Sequence, residues 1–154
     1  METILAGYDG TRSAEQALTR SAELAKAFGS RVVVVSVASP EPVAAGGAFG
    51  LSPYYYAAVA GQTGLRTDEA IWEQHRERVE SFFASRGVPV EFEGVLGRPA
   101  DEIVLLAEQE RADLIVVGTR EPGFVERLLG GSVSQGVARR ARCDVLIVHP
   151  PEDD

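Results

Sequence analysis

Gly130, Gly131, Ser132 and Ser134 fall within five consecutive positions, at the head of a helical pattern that continues through Val137. Backbone N–H groups reach an anion only where no side chain intervenes, and paired glycines provide that. Serines at a helix start add donors where unpaired N–H groups and the helix dipole already favour negative charge. The chemistry on offer is a phosphate cradle. The competing use is local, because Ser132 can cap its helix without any ligand. On the residues alone the two uses stand level. Two apolar runs end in polar residues that could share this site. "DLIVVG" ends at Gly118, followed by Thr119 and Arg120, and "TILAGY" is followed by Asp9-Gly10. If those runs are neighbouring strands, Asp9 can accept from a ribose hydroxyl while the cradle amides face phosphates.

Other chemistries lack their residues. No Gly-x-x-x-x-Gly-Lys-Ser/Thr loop is present, and the only lysine is Lys26. Histidines stand only at 75 and 149, so no paired-histidine signature forms. Asp9 alone supplies neither a metal cluster nor an acid/base pair. The expectation is a protein with no catalytic residue and no protein-held metal.

The elements that must position these residues follow from periodicity. Thr3 to Tyr8 reads as a strand. "SAEQ" offers Ser13 as an N-cap with Gln16 three residues on, and Ala14, Ala17, Leu18, Ala25 and Phe28 follow at helical spacing up to Gly29. "RVVVVSVA" is continuous and β-branched, as a strand buried on both faces is. Residues 39–66 have no clean period and read as a long loop, with Tyr54, Tyr55 and Tyr56 together in it. A helix from Thr67 to Ser85 carries Trp72, Val79, Phe82 and Phe83 on one face, with His75 expected as a packing residue at its edge. "VPVEFEGVLG" alternates as a half-exposed strand, and Pro99 opens the next helix, whose stripe is Ile103, Leu106 and Ala107. "DLIVVG" is the fourth strand. Val133, Val137, Ala138 and Ala141 mark the fourth helix, and "DVLIVHP" is the last strand before an acidic tail at 150–154. Strands alternating with helices predict an open, mostly parallel α/β sheet within one domain spanning 1–154.

Bulk properties narrow the partners. Fifteen Lys and Arg against twenty-three Asp and Glu give a net charge of −8, which disfavours nucleic acid and anionic membranes. The single Cys143 excludes an internal disulfide and reads as a buried, inert thiol. The first residues have no secretory pattern and no apolar run approaches a membrane span, so a cytoplasmic location is expected.

The chain resembles the universal stress protein family. The family's nucleotide motif is Gly, two residues, Gly, nine residues, then Gly-Ser/Thr. Gly118 fits the first position and Gly131-Ser132 the last pair, with that spacing kept. "ILAGYDGTRSAEQAL" is similar to the family's opening and "GSVSQGVARRARCDVLIV" to its closing segment. The likeness covers nearly the whole chain apart from residues 39–66. It implies a Rossmann-like, doubly wound, five-stranded parallel sheet of order 3-2-1-4-5, with helices on both faces. It implies Asp9 on the ribose, Val37 backbone near adenine, Gly118, Gly131, Ser132, Val133 and Ser134 on the phosphates, and Val117 also at the nucleotide. It implies ATP, or AMP or ADP, as ligand, Mg2+ held through the phosphates, and a homodimer through the last strand. An unknown protein partner is a further expectation. One position departs, since Glu121 stands where the second motif glycine would be and Gly123 lies two residues too late. Weak nucleotide binding by a regulatory module is therefore expected. The alternative is a dimeric, stress-related interaction module with a vestigial cradle.

Overall fold

The computed structural model describes residues 1–38, 67–119 and 133–152. Five strands form one parallel sheet: β1 (Thr3–Gly7), β2 (Arg31–Ala38), β3 (Val90–Leu96), β4 (Leu114–Gly118) and β5 (Asp144–Val148). Their order is β3-β2-β1-β4-β5, as the resemblance implied. Leu5 sits between Val33 of β2 and Ile115 of β4, so β1 is the central strand and its end adjoins that of β4.

The alternation of strand side chains divides the interior into two layers. Ile4, Ala6, Val32, Val34 and Val116 face one side, where α1 (Arg12–Phe28) packs through Ala14, Ala17 and Leu18. On that side α2 (Thr67–Ala84) adds Val79, Phe82 and Phe83. Leu5, Val33, Val35, Ile115 and Val117 face the other side. There they meet Ile103 and Ala107 of α3 (Pro99–Gln109) and Val137 of α4 (Val133–Arg140). The continuous valine run of β2 is buried because both of its faces are covered.

Three local expectations need correcting. Thr11, not Ser13, caps α1: its side chain accepts from the Ala14 N–H at 3.2 Å. Both residues could cap, but Gly10, at φ 82°, turns the chain one residue before Thr11. Ser13 then falls inside the first turn, 1% exposed. Phe28 is 58% exposed rather than part of the buried stripe. That stripe ends at Ala25, and Gly29 closes the helix in the left-handed region by donating to the Ala25 carbonyl. Ala138 is exposed, and Ser134 takes its place in the buried face of α4. Cys143 is partly buried, and burial pushes its thiol up, in keeping with an inert role.

β5 is only partly covered along Val145, Leu146 and Ile147, and it forms one edge of the sheet. The opposite edge, β3, exposes Glu91 and Glu93. Among the described residues, no helix is long and apolar enough to cross a membrane.

Candidate functional site

The sheet order reverses between β1 and β4, so the chain departs to opposite faces at their C-terminal ends and leaves a cleft there. Asp9 and Gly118 line this one cleft, together with Val37, Val117 and Val133. Pro99 and Ile103 of α3 close one side, and Thr11, Ser13 and Ala14 of the α1 start close another. Ser134 is buried in the first turn of α4, next to Val133. Gly131 and Ser132 lie outside the described residues, as do Gly130, Glu121, Gly123 and the tyrosines at 54–56.

Asp9 is exposed, and its Oδ1 accepts from the Thr11 N–H at 3.0 Å and the Thr11 hydroxyl at 2.6 Å. These short-range bonds turn the carboxylate at the end of β1. Gly118 is glycine for a reason that needs no ligand. A Cβ there would stand 2.6 Å from the Ser13 carbonyl carbon and Oγ and 2.7 Å from its Cβ. The first turn of α1 thus presses directly on the end of β4.

Behind the cleft, the Tyr8 hydroxyl donates to Glu15 at 2.7 Å, and Arg78 reaches both Glu15 oxygens at 2.9 and 2.8 Å. Arg78's hydrogen bonds hold the Glu15 carboxyl below its ordinary range; partial burial opposes them, and the Tyr8 hydroxyl adds to the lowering. Burial, then Glu15, pushes the Tyr8 phenol up. The network ties the end of β1 to both helices on that face.

His75 does more than pack at a helix edge. Its Nδ1 lies 2.7 Å from Ser36 Oγ, and its ring meets Tyr8 edge-on at 4.9 Å. Its Nε2 is 3.2 Å from where a Cβ on Gly10 would be, so the ring props the Asp9–Gly10 turn from behind. The signal in the sequence was Ser36, a polar interruption in a buried valine run, which required a partner. Burial lowers the affinity of His75 for a proton, and Asp9 offsets this only in part. The unfolded chain, with its histidine near the ordinary 6.5, therefore binds more protons than the native one as pH drops through that value. The stability present above it is lost toward the lower folded value. Glu15 acts in the same sense, but below the ordinary carboxylate value of 4.5. The urea midpoint should therefore fall from about pH 7.5 to about pH 5.5, and His75→Asn, which does not titrate, should flatten that fall. Equal wild-type midpoints at both pH values would contradict this.

The geometry can be set beside known proteins. The sequence profile of the universal stress protein family matches residues 1–149. A universal stress protein of Thermus aquaticus is 38% identical over 148 residues, covering 96% of this chain and 98% of the relative. One from Mycobacterium tuberculosis is 34% identical over 148 residues, covering 96% of each. The crystal structure of a universal stress protein in complex with cAMP matches with a TM-score of 0.66 at 29% identity, covering 97% of this chain and 98% of that one. With the strand order, the cleft and near full-length similarity in agreement, this chain belongs to the universal stress protein family.

Proposed function

We propose that the chain is a regulatory module holding an adenine nucleotide across the C-terminal ends of β1 and β4. The observation that carries this is the placement of Asp9 and Gly118 in one cleft, with Val37 in its wall. Asp9 takes the ribose, Val37 backbone lies at the adenine, and Gly118 with residues 131–134 faces the phosphates. A 29% identical family member in complex with cAMP supports the adenine nucleotide class. ATP is the preferred ligand, with AMP or ADP as alternatives, and Mg2+ is held through the phosphates. The chain is not an enzyme on this reading and signals from the cytoplasm through its dimer surface. The partly covered edge strand β5 supports a homodimer formed there, since unpaired strand edges invite pairing.

Calorimetric titration with ATP, AMP and adenosine, with and without magnesium, tests the reading. No heat at millimolar ligand removes it. Glu121 supplies a second arm. At an assumed separation of about 6 Å, one carboxylate opposes one phosphate charge by about 0.7 kcal/mol at water's dielectric and nearly 3 kcal/mol at an effective value of 20. Binding is therefore weak, in the tens of micromolar to millimolar range. Glu121→Gly should tighten ATP by at least about threefold and help adenosine less. Glu121→Gln should recover most of that gain if charge is the cause. Equal ATP affinities in all three proteins would refute the repulsion.

Glu121 also favours a second reading, a dimeric interaction module whose cradle no longer binds. Capture of a protein partner at a yield indifferent to ATP and to Asp9→Ala would support it, and loss of capture in Asp9→Ala would exclude it.

A further inference from the structure

The correction at the start of α1 has a chemical side. Thr11 has one hydroxyl proton, and the 2.6 Å separation from Asp9 Oδ1 commits it there, at the length of a charge-assisted bond. Thr11 Oγ1 can then only accept from its other neighbours. It accepts from the Ala14 N–H at 3.2 Å and from the Ser13 hydroxyl at 3.2 Å. Ser13 in turn is the residue against which Gly118 packs, its Oγ 2.6 Å from the missing Cβ. A chain of hydroxyls thus runs from the end of β4 through Ser13 and Thr11 to the carboxylate at the end of β1. Both bonds from Thr11 fall on Oδ1.

We propose that Thr11 is a positioning residue for ribose recognition. It fixes the rotation of Asp9 so that Oδ2 is the oxygen offered to the sugar hydroxyls. Through Ser13 it also holds that oxygen at a set offset from the Gly118 end of the phosphate subsite. The inference rests on the nucleotide reading above and assigns to Thr11 the selection of a ribose over a sugar without hydroxyls. Without the Thr11 hydroxyl, the carboxylate keeps one restraint, from the backbone N–H, and is free to turn.

ATP and 2′,3′-dideoxy-ATP, titrated calorimetrically into wild type, Thr11→Val and Thr11→Ser, separate positioning from capping. Valine is close in shape to threonine but has no hydroxyl; serine restores one. Wild type and Thr11→Ser should prefer ATP by about tenfold, the worth of a charge-assisted hydrogen bond. Thr11→Val should reduce that preference to about threefold or less, through weaker ATP binding, with dideoxy-ATP unchanged within about twofold. Thr11→Gly serves if the valine protein does not fold, because glycine is a tolerable N-cap, and the same loss of preference is expected. A preference undiminished in the valine or glycine protein, or a parallel loss for both ligands, overturns the proposal and leaves nucleotide binding intact. A wild type that binds neither ligand overturns the nucleotide reading, and this inference with it.

Discussion

Gly118→Ala should destabilise the fold by about 3 kcal/mol and lower its thermal midpoint by roughly 6–12 °C. The added methyl would meet the Ser13 carbonyl carbon at 2.6 Å, inside any permitted contact, and the Ser13 Cβ at 2.7 Å. These atoms belong to or sit on the α1 backbone and cannot rotate away. Relief therefore requires α1 to shift as a body, against a packed layer that includes Ala14, Ala17 and Leu18. This places the effect at the upper end of those seen on overpacking. Scanning calorimetry of the variant measures it. Adding Ser13→Gly removes the Oγ and Cβ and should recover part of the loss, though the carbonyl carbon remains in the way. A midpoint within about 2 °C of wild type would mean that α1 slides on the sheet at little cost.

Asp9→Ala should weaken ATP about ten- to a hundredfold, the range for losing a charge-assisted hydrogen bond. Adenosine should weaken by a similar factor, because both ligands share the ribose and only ATP has phosphates. This pattern is the reverse of that expected for Glu121→Gly, where ATP alone responds strongly. Asp9 is exposed, and among the described residues its hydrogen bonds are both to Thr11, so the thermal midpoint should move far less than in Gly118→Ala. Calorimetric titration of both ligands into the variant checks the prediction. Undiminished ATP affinity would place the ribose away from β1.

The strands, the helices and the doubly covered β2 could be anticipated because their signals are periodic and local, whereas the strand order followed only from the family resemblance. "VVVV" in β2 has meaning only as a strand covered on both faces, and Pro99 marks a helix start wherever the rest of the chain goes. The site was legible in its residues but not in its reasons. Gly118 was picked out for a phosphate, whereas its closest neighbour is Ser13 of α1, more than a hundred residues earlier in the chain. Ser13 looked like a cap for the same reason that Thr11 is one, since both are small hydroxyl residues beside a turn. The turn at Gly10 makes Thr11 the cap, and the contact with β4 gives Ser13 its place in the interior. For His75 the signal lay not in its own helix but at Ser36, in the valine run of β2. Its function depends on Ser36 and Gly10, which join it only when α2 lies across the ends of β1 and β2.

The two borders of the sheet are unlike, and this governs how copies can accumulate. β3 presents Glu91 and Glu93, charges that repel a like strand, and Arg31 pairs with Glu91 at 3.1 Å beside them. β5 offers Val145, Leu146 and Ile147, only partly covered. Growth into a continuous ribbon of sheets would need β5 of one copy to accept β3 of the next. The acidic border discourages that head-to-tail step. Two copies joined β5 to β5 about a twofold axis would consume the permissive border of each and leave only acidic ones outside. A chain that paired this way would terminate its own assembly at two, and what stopped further growth would be located in β3, the strand farthest from the junction.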